Sequence, residues 1–143
     1  MNIRRATNND FDYIYNLSSK NSDLLGFVHP MEIRSSISAG KIIISEQDDK
    51  PTGFCIFNPL KKDYTLLTVQ IICVDPAYRG QGIATSIVNY LRDTYKRTIK
   101  TTCVKDSASE QFWSKIAIKH SEDPGKKRPI CRYIIPYKRK GLL

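Results

Sequence analysis

Apolar residues recur along this chain with two different periods, and the changes between them mark out the elements. Residues 1–7 alternate enough around Ile3 and Arg5 to predict a short first strand. Asn8, Asn9 and Asp10 then offer capping side chains to a helix in which Phe11, Ile14 and Leu17 fall three apart, running to about Ser19. Residues 21–29 predict a loop. Its Leu24, Leu25, Phe27 and Val28 are too apolar for a plain linker, so the segment either folds back onto a core or lines a pocket. Pro30 opens a second helix with Ile33 and Ile37 inward, and Gly40 closes it. Residues 41–46 and 52–57 read as hairpin partners around a turn at 47–51. A second turn at 58–63 leads into a long central strand over 64–74. Residues 98–104 form a fifth strand with Ile99, Thr101 and Cys103 on one face. Residues 107–118 form a helix with Phe112, Ile116 and Trp113 as its inward candidates. A polar loop over 120–128 precedes a last strand over 132–137.

The stretch over residues 71–91 reads IICVDPAYRGQGIATSIVNYL, and the rest of the chain is organised around it. An apolar, β-branched strand stops at Asp75 and Pro76. A glycine loop follows, and then a helix in which Ile83, Ile87, Leu91 and Tyr95 fall four apart with Val88 beside them. Gly80 and Gly82 let the backbone bend tightly and approach a ligand without a side chain in the way. The unpaired N–H groups of the first helical turn, at the positive end of the dipole, make an anion seat. A glycine turn that only packs helix on strand is the alternative. The loop is not G-x-x-x-x-G-K-[ST], and it lacks the third glycine of the dinucleotide fingerprint.

Arg79-Gly80-Gln81-Gly82-Ile83-Ala84, with the lead-in from Val74 to Tyr78, resembles motif A of the GCN5-related N-acetyltransferases (GNAT), [RQ]-x-x-G-x-[GA]. Residues 105–118 are similar to that family's later motif, with Ser107 where Asn is usual, Trp113 where Tyr is usual, and Ala117-Ile118 where Gly-Phe is usual. The order of elements agrees with the resemblance over nearly the whole chain. It implies a single α/β (α+β) domain over residues 1–137, a mixed, mostly antiparallel central sheet flanked by helices, with a basic tail at 138–143. It also implies acetyl-CoA as acyl donor, and N-acetyl transfer to a primary amine of a small molecule, an amino acid or a protein lysine.

The same resemblance assigns roles to residues. The backbone N–H groups of Arg79, Gly80, Gln81, Gly82, Ile83 and Ala84 would bind the pyrophosphate, with Thr85 adding a hydroxyl. Cys73 and Val74 would pair through their backbone with the pantetheine arm where the central and fifth strands splay apart, the Val74 N–H pointing at the thioester oxygen. Many relatives place a Glu base on the central strand. This strand offers Gln70, which takes no proton but can position a water or the amine. An indole is too weakly acidic to replace the family's tyrosine acid, so Trp113 is a wall against the pantetheine or the core. Ser107 is a candidate to hydrogen-bond the pantetheine or the leaving sulfur. Asp106 is either a candidate base or a solvated helix cap. His29, His120, Tyr64, Tyr133 and Tyr137 are further candidates. Leu25, Phe27 and His29 are either acceptor contacts or packing residues.

Composition changes this picture at one point. The 143 residues, 41% hydrophobic and 26% charged, suit one soluble globular domain. No apolar run approaches a membrane span, and Met1 to Arg5 lacks a signal core, so a cytoplasmic protein without a membrane partner is expected. Cys55, Cys73, Cys103 and Cys131 are widely spaced, which points to reduced core thiols and to no metal site. The charge is less ordinary: 23 Lys and Arg against 14 Asp and Glu give +9. Lys126, Lys127 and Arg128 form one dense cluster, and Lys138, Arg139 and Lys140 another. Such clusters bind nucleic acid through phosphates or are simply a solvated surface. An acceptor group carried on aminoacyl-tRNA or DNA is therefore one alternative, and a non-catalytic CoA-binding module is another. The resemblance also puts a homodimer, formed by sheet or tail exchange, among the states to expect.

Overall fold

The computed structural model describes residues 1–138, the side chains of residues 23 and 24 excepted. Seven strands are β1 (Asn2–Arg5), β2 (Ile42–Gln47), β3 (Lys50–Pro59), β4 (Leu66–Val74), β5 (Thr98–Val104), β6 (Ile118–Asp123) and β7 (Ile130–Ile135). The α-helices are α1 (Phe11–Lys20), α2 (Ser22–Leu25), α3 (Pro30–Ser38), α4 (Ile83–Tyr95) and α5 (Ala108–Ile116). The strands join in the order β1-β2-β3-β4-β5-β7-β6. β4 and β5 run parallel, while β1/β2, β2/β3, β5/β7 and β6/β7 are antiparallel. This is the mixed, mostly antiparallel sheet flanked by helices that the resemblance implies. By internal packing the residues fall into two compact units, Met1–Phe57 with Ile71–Ile87, and Asn58–Gln70 with Val88 onward.

In the first unit, Ile14 and Leu17 of α1, Ile33 and Ile37 of α3, and Phe54 and Ile56 of β3 close over one core. Each such side chain contributes roughly 1.5–3 kcal/mol on full burial. β2 is buried at Ile42, Ile43, Ile44 and Ser45 in succession, as a strand covered on both faces must be. Polar groups at its far end satisfy each other, with Ser45 Oγ lying 2.9 Å from Thr52 Oγ1 of β3. Asp48 and Asp49 both take left-handed φ, 50° and 62°, and so make the two-residue turn whose twist suits a hairpin. The carboxylate of Asp10 anchors the start of α1. It accepts both terminal nitrogens of Arg4 at 2.8 and 2.9 Å and the Thr7 N–H at 2.7 Å. At the end of β4 the backbones come very close: a Cβ on Gly53 would lie 2.8 Å from the Cys73 carbonyl oxygen. Only glycine fits there.

In the second unit β5 pairs with β4 over Leu66–Val69 and with β7 over its whole length. Arg97 ties the start of β5 to the β3–β4 turn, donating to the carbonyl oxygens of Leu60 and Leu66 at 3.0 and 3.1 Å. Helix α5 ends earlier than its apolar spacing predicts. Ala117 turns extended and Ile118–Asp123 becomes β6, where the sequence predicts a helix end and a polar loop. The reason is pairing and not side-chain burial: Ile118, Lys119 and His120 are all exposed, and the strand exists because its backbone completes a ladder on β7. β7 correspondingly starts at Ile130, two residues before its predicted start. The hairpin between them is tight: Gly125 has φ 61°, and its Asp123-bonded turn leaves no room for a side chain against Arg128.

Candidate functional site

Between β4 and α4 the chain makes one helical turn of the 3-10 type at Pro76–Tyr78, capped by Asp75, whose carboxylate accepts the Ala77 N–H at 3.1 Å. Gly80 and Gly82 follow in the left-handed region, φ 82° and 77°, and a Cβ at either would point into open space. Backbone strain, and not crowding, therefore demands glycine at both. The first backbone bond of α4 is made by Ser86, whose N–H and hydroxyl both donate to Gly82 O at 3.0 Å. The N–H groups of Ile83, Ala84 and Thr85 precede that bond and are the helix's unpaired donors. The side chains divide the work. Ile83 is buried in the core, so only its N–H faces the loop, while Ala84 and Thr85 are half-buried. Gln81 is held from β2, its Oε1 accepting the Gln47 amide at 3.2 Å.

Arg79 does something its motif position does not announce. Its Nε donates to Val74 O at 3.1 Å and a terminal nitrogen donates to Asn21 Oδ1 at 2.9 Å. Asn21 in turn donates to Leu17 O at 2.8 Å. The arginine thus fastens the end of α1 to the end of β4, and the donors left open at the loop are backbone N–H groups. A neighbouring bond fixes strand orientation. The Asp75 N–H donates to Thr52 O at 2.8 Å, so alternation turns Val74's N–H and carbonyl to the opposite edge, away from β3. The Cys73 carbonyl faces β3, beside Gly53. Burial pushes the Cys73 thiol up to about 11, so it stays protonated at neutral pH.

Cys73, Val74 and Arg79 through Thr85 lie in the first unit; Gln70, Asp106, Ser107 and Trp113 lie in the second. Gln70 is exposed on β4. Ser107 is the N-cap of α5: its hydroxyl donates to Val104 O at 2.6 Å and accepts the Glu110 N–H at 3.2 Å. Asp106 is exposed, with left-handed φ 61°. Trp113 is 3% exposed and stacks edge-on against Phe112 at 5.0 Å between centroids. His29 caps α3, its Nδ1 accepting the Met31 N–H at 3.0 Å, which puts a neutral ring's proton on Nε2. Phe27, 73% exposed, sits edge-on to that ring at 6.1 Å, and Leu25 packs against the first unit's core. Lys126, Lys127, Arg128 and Lys138 are exposed; Arg139 and Lys140 lie outside the described residues.

A polar cluster that the sequence pattern does not announce lies at the mouth of a cleft of about 370 Å³, lined by Lys105, Glu110, Gln111, Lys119 and Tyr133 among others. Glu110 accepts the Asp106 N–H at 2.9 Å and the Tyr133 hydroxyl at 2.8 Å, which hold its carboxyl down to about 2. Ser107 and Glu110, three apart, form the S-x-x-E pattern of a capping box, the one signal that foreshadows this pair. Among the described residues no helix is long and apolar enough to cross a membrane.

Comparison with known proteins agrees with this fold. A search of curated proteins finds no match. Among solved structures, the chain is similar to a GNAT-family acetyltransferase from Bacillus cereus, with 23% identity, TM-score 0.76, and coverage of 96% of this chain and 98% of that one. It is similar to the ribosomal-protein-S18-alanine N-acetyltransferase from Escherichia coli, with 15% identity, TM-score 0.77, and 99% and 98% covered. It also resembles the N-acetylglutamate synthase from Neisseria gonorrhoeae, a complex with coenzyme A and N-acetyl-glutamate, with 15% identity and TM-score 0.80. That match covers 96% of this chain but only 35% of the synthase, so the chain spans about a third of that protein's length. Residues 38–116, more than half of the chain, match the profile described as "Acetyltransferase (GNAT) domain". With the glycine loop, the open helix start and the fold in agreement, the chain belongs to the GNAT acetyltransferases, whose acyl donor is acetyl-CoA.

Proposed function

We propose that this protein transfers an acetyl group from acetyl-CoA to a primary amine. The observation that carries the reading is the helix start behind β4. Gly80 and Gly82 hold a loop with open space over it, directly before the unpaired N–H groups of Ile83, Ala84 and Thr85. A doubly charged pyrophosphate fits such a seat without a basic side chain. One strand end away, the outward N–H of Val74 is available to the thioester oxygen. Attack by a neutral amine on the carbonyl then needs chiefly orientation, supplied by the tethered ends of β4 and α1. Water takes the amine's proton, in keeping with an amide at Gln70 and a Ser107 hydroxyl already engaged on both sides. The acceptor enters past Leu25, Phe27 and His29, where an exposed aromatic edge lies beside a ring N–H.

A second reading, in which the amine is carried on a nucleic acid, draws support from where the charge lies. The unit of residues 58–70 and 88–143 holds sixteen of the 23 basic residues against six acidic ones, a net +10, while the other unit is nearly neutral. Lys126, Lys127 and Arg128 stand on the tight β6–β7 turn and join none of the described ion pairs. Elsewhere in the same unit Tyr64 is 79% exposed beside Lys61 and Lys62, with Arg97 5.9 Å from its ring centroid, an arrangement that suits base stacking next to phosphates.

The test is thiol release from acetyl-CoA against polyamines, peptides, amino acids, aminoacyl-tRNA and duplex DNA. Turnover with an amine supports the first reading. Turnover confined to the nucleic acids, with retention that falls steeply with salt, replaces it by the second. Tight acetyl-CoA binding without release on any of them leaves a CoA-binding module.

A further inference from the structure

Cys103 of β5 and Cys131 of β7 stand directly opposite each other in the antiparallel ladder. Opposed residues project from the same side of a sheet, and the next pair on that side is Thr101 with Tyr133. The surrounding bonds fix the kind of pair. Thr98 N–H donates to Thr65 O at 2.8 Å, toward β4, while Lys105 N–H donates to Pro129 O at 2.9 Å, toward β7. By alternation Cys103 turns its backbone to β7 as Lys105 does, which makes Cys103 and Cys131 a hydrogen-bonded pair. Cα atoms in such a pair lie about 5.5 Å apart, within the ~4.4–6.8 Å that a disulfide spans. The Cβ atoms must draw together by about 1 Å. That movement is small at this position, because the pair stands one step from the strand ends at Val104 and Ile130.

The neighbours of the pair suit thiol chemistry. Glu122 of β6 stands opposite Cys131 on its other flank, and its carboxylate accepts the thiol, Sγ to Oε1 3.5 Å. Lys105 and Lys119 hold that carboxylate at 3.4 and 2.9 Å. An acceptor for the thiol proton is therefore in place. Cys103 and Cys131 are 7% and 0% exposed, and burial raises both thiols, Cys131 to about 12. In the closed fold both stay protonated and exchange slowly, so the step belongs to the opening of the ladder end or to folding itself.

We propose that Cys103 and Cys131 are a dithiol site that closes to a disulfide across β5 and β7 in the presence of a small-molecule disulfide such as oxidised glutathione. One protein sulfur attacks the reagent, forming a mixed disulfide and releasing one thiol. The other protein sulfur then attacks the first, and the second thiol leaves. The protein gives up two protons and two electrons, and the reagent takes both. The bond fastens the segment that carries α5 and β6 into a closed loop and so lowers the entropy of the unfolded chain. The inference stands apart from the acetyl-CoA reading, since neither cysteine belongs to the glycine loop or the end of β4.

The test refolds reduced wild-type protein from urea into a glutathione buffer containing the oxidised form, then alkylates free thiols and maps the peptides. The expected product is lighter by two hydrogens before alkylation, carries a Cys103–Cys131 link, and has Cys55 and Cys73 alkylated. It should melt roughly 5–15 °C above the reduced protein, and dithiothreitol should abolish the difference. Cys103→Ser and Cys131→Ala, treated alike, should show no such rise. Should a variant fail to fold, the wild type with and without dithiothreitol carries the test alone. A different pairing, a retained glutathione adduct on either cysteine, four free thiols, or a melting temperature that does not rise overturns the proposal.

Discussion

Substitution of Gly82 separates the two things this residue does. With φ at 77° and nothing within 4 Å of where a Cβ would stand, Gly82→Ala meets backbone strain but no clash. A non-glycine residue in that conformation costs about 1–2 kcal/mol. For a chain of this size that lowers the melting temperature by roughly 3–10 °C. Gly82→Glu meets the same strain, and a carboxylate at a helix N-terminus offsets about 0.3–1 kcal/mol of it. The fold should therefore tolerate glutamate as well as alanine. Acetyl-CoA should not. A carboxylate about 5 Å from a pyrophosphate carrying two charges costs about 2 kcal/mol at the dielectric of water and several times that near a protein surface. Affinity for acetyl-CoA should then fall at least about thirtyfold relative to Gly82→Ala, and added salt should recover part of the loss. Melting curves and calorimetric titration of both variants check this. A folded Gly82→Glu protein that binds acetyl-CoA within about threefold of the alanine variant refutes the placement of the phosphates.

Three further outcomes follow from the packing and the charges. Gly53→Ala forces a methyl group to 2.8 Å from the Cys73 carbonyl oxygen, and should lower stability by about 1–3 kcal/mol in urea unfolding; an unchanged midpoint would mean that β3 and the end of β4 are not pressed together. The carboxyl of Asp10 is held below its ordinary range, first by the hydrogen bonds from Arg4. The stability it adds is therefore complete above the unfolded value of about 4 and is lost as pH falls through the lower folded one. Asp10→Asn should cost about 1–3 kcal/mol at pH 7 and much less near pH 2, read as urea midpoints across pH. Burial pushes Cys73 up to about 11 and Cys131 to about 12, and raises Cys55 and Cys103 as well. The native protein should react slowly with an aromatic disulfide reagent at pH 8, and unfolding should release all four thiols; rapid native reaction would contradict the burial.

Much of this protein is legible one residue at a time. The glycine loop, the period-four stripe of α4 and the limits of β5 depend on local chemistry: where left-handed φ is needed, where a helix can bury one face, where β-branched residues run out. β6 escapes such a reading because Ile118–Asp123 has no buried face; its backbone ladder with β7 decides it. Arg79 belongs to a recognisable motif, yet its partner Asn21 lies 58 residues away in sequence, so no local pattern reveals that it clasps α1 to β4. The same is true of Tyr13, whose hydroxyl is buried without a partner although its Phe11-Asp12-Tyr13-Ile14 context reads as an ordinary amphipathic helix. Which hydroxyl is buried without a partner is a property of packing alone. Local residue order was enough for the family, the glycine loop and the charge. Which hydroxyl is left without a partner, and which cations are already paired, depended on the folded chain, because burial and hydrogen bonding between distant segments set the free energy of every polar group.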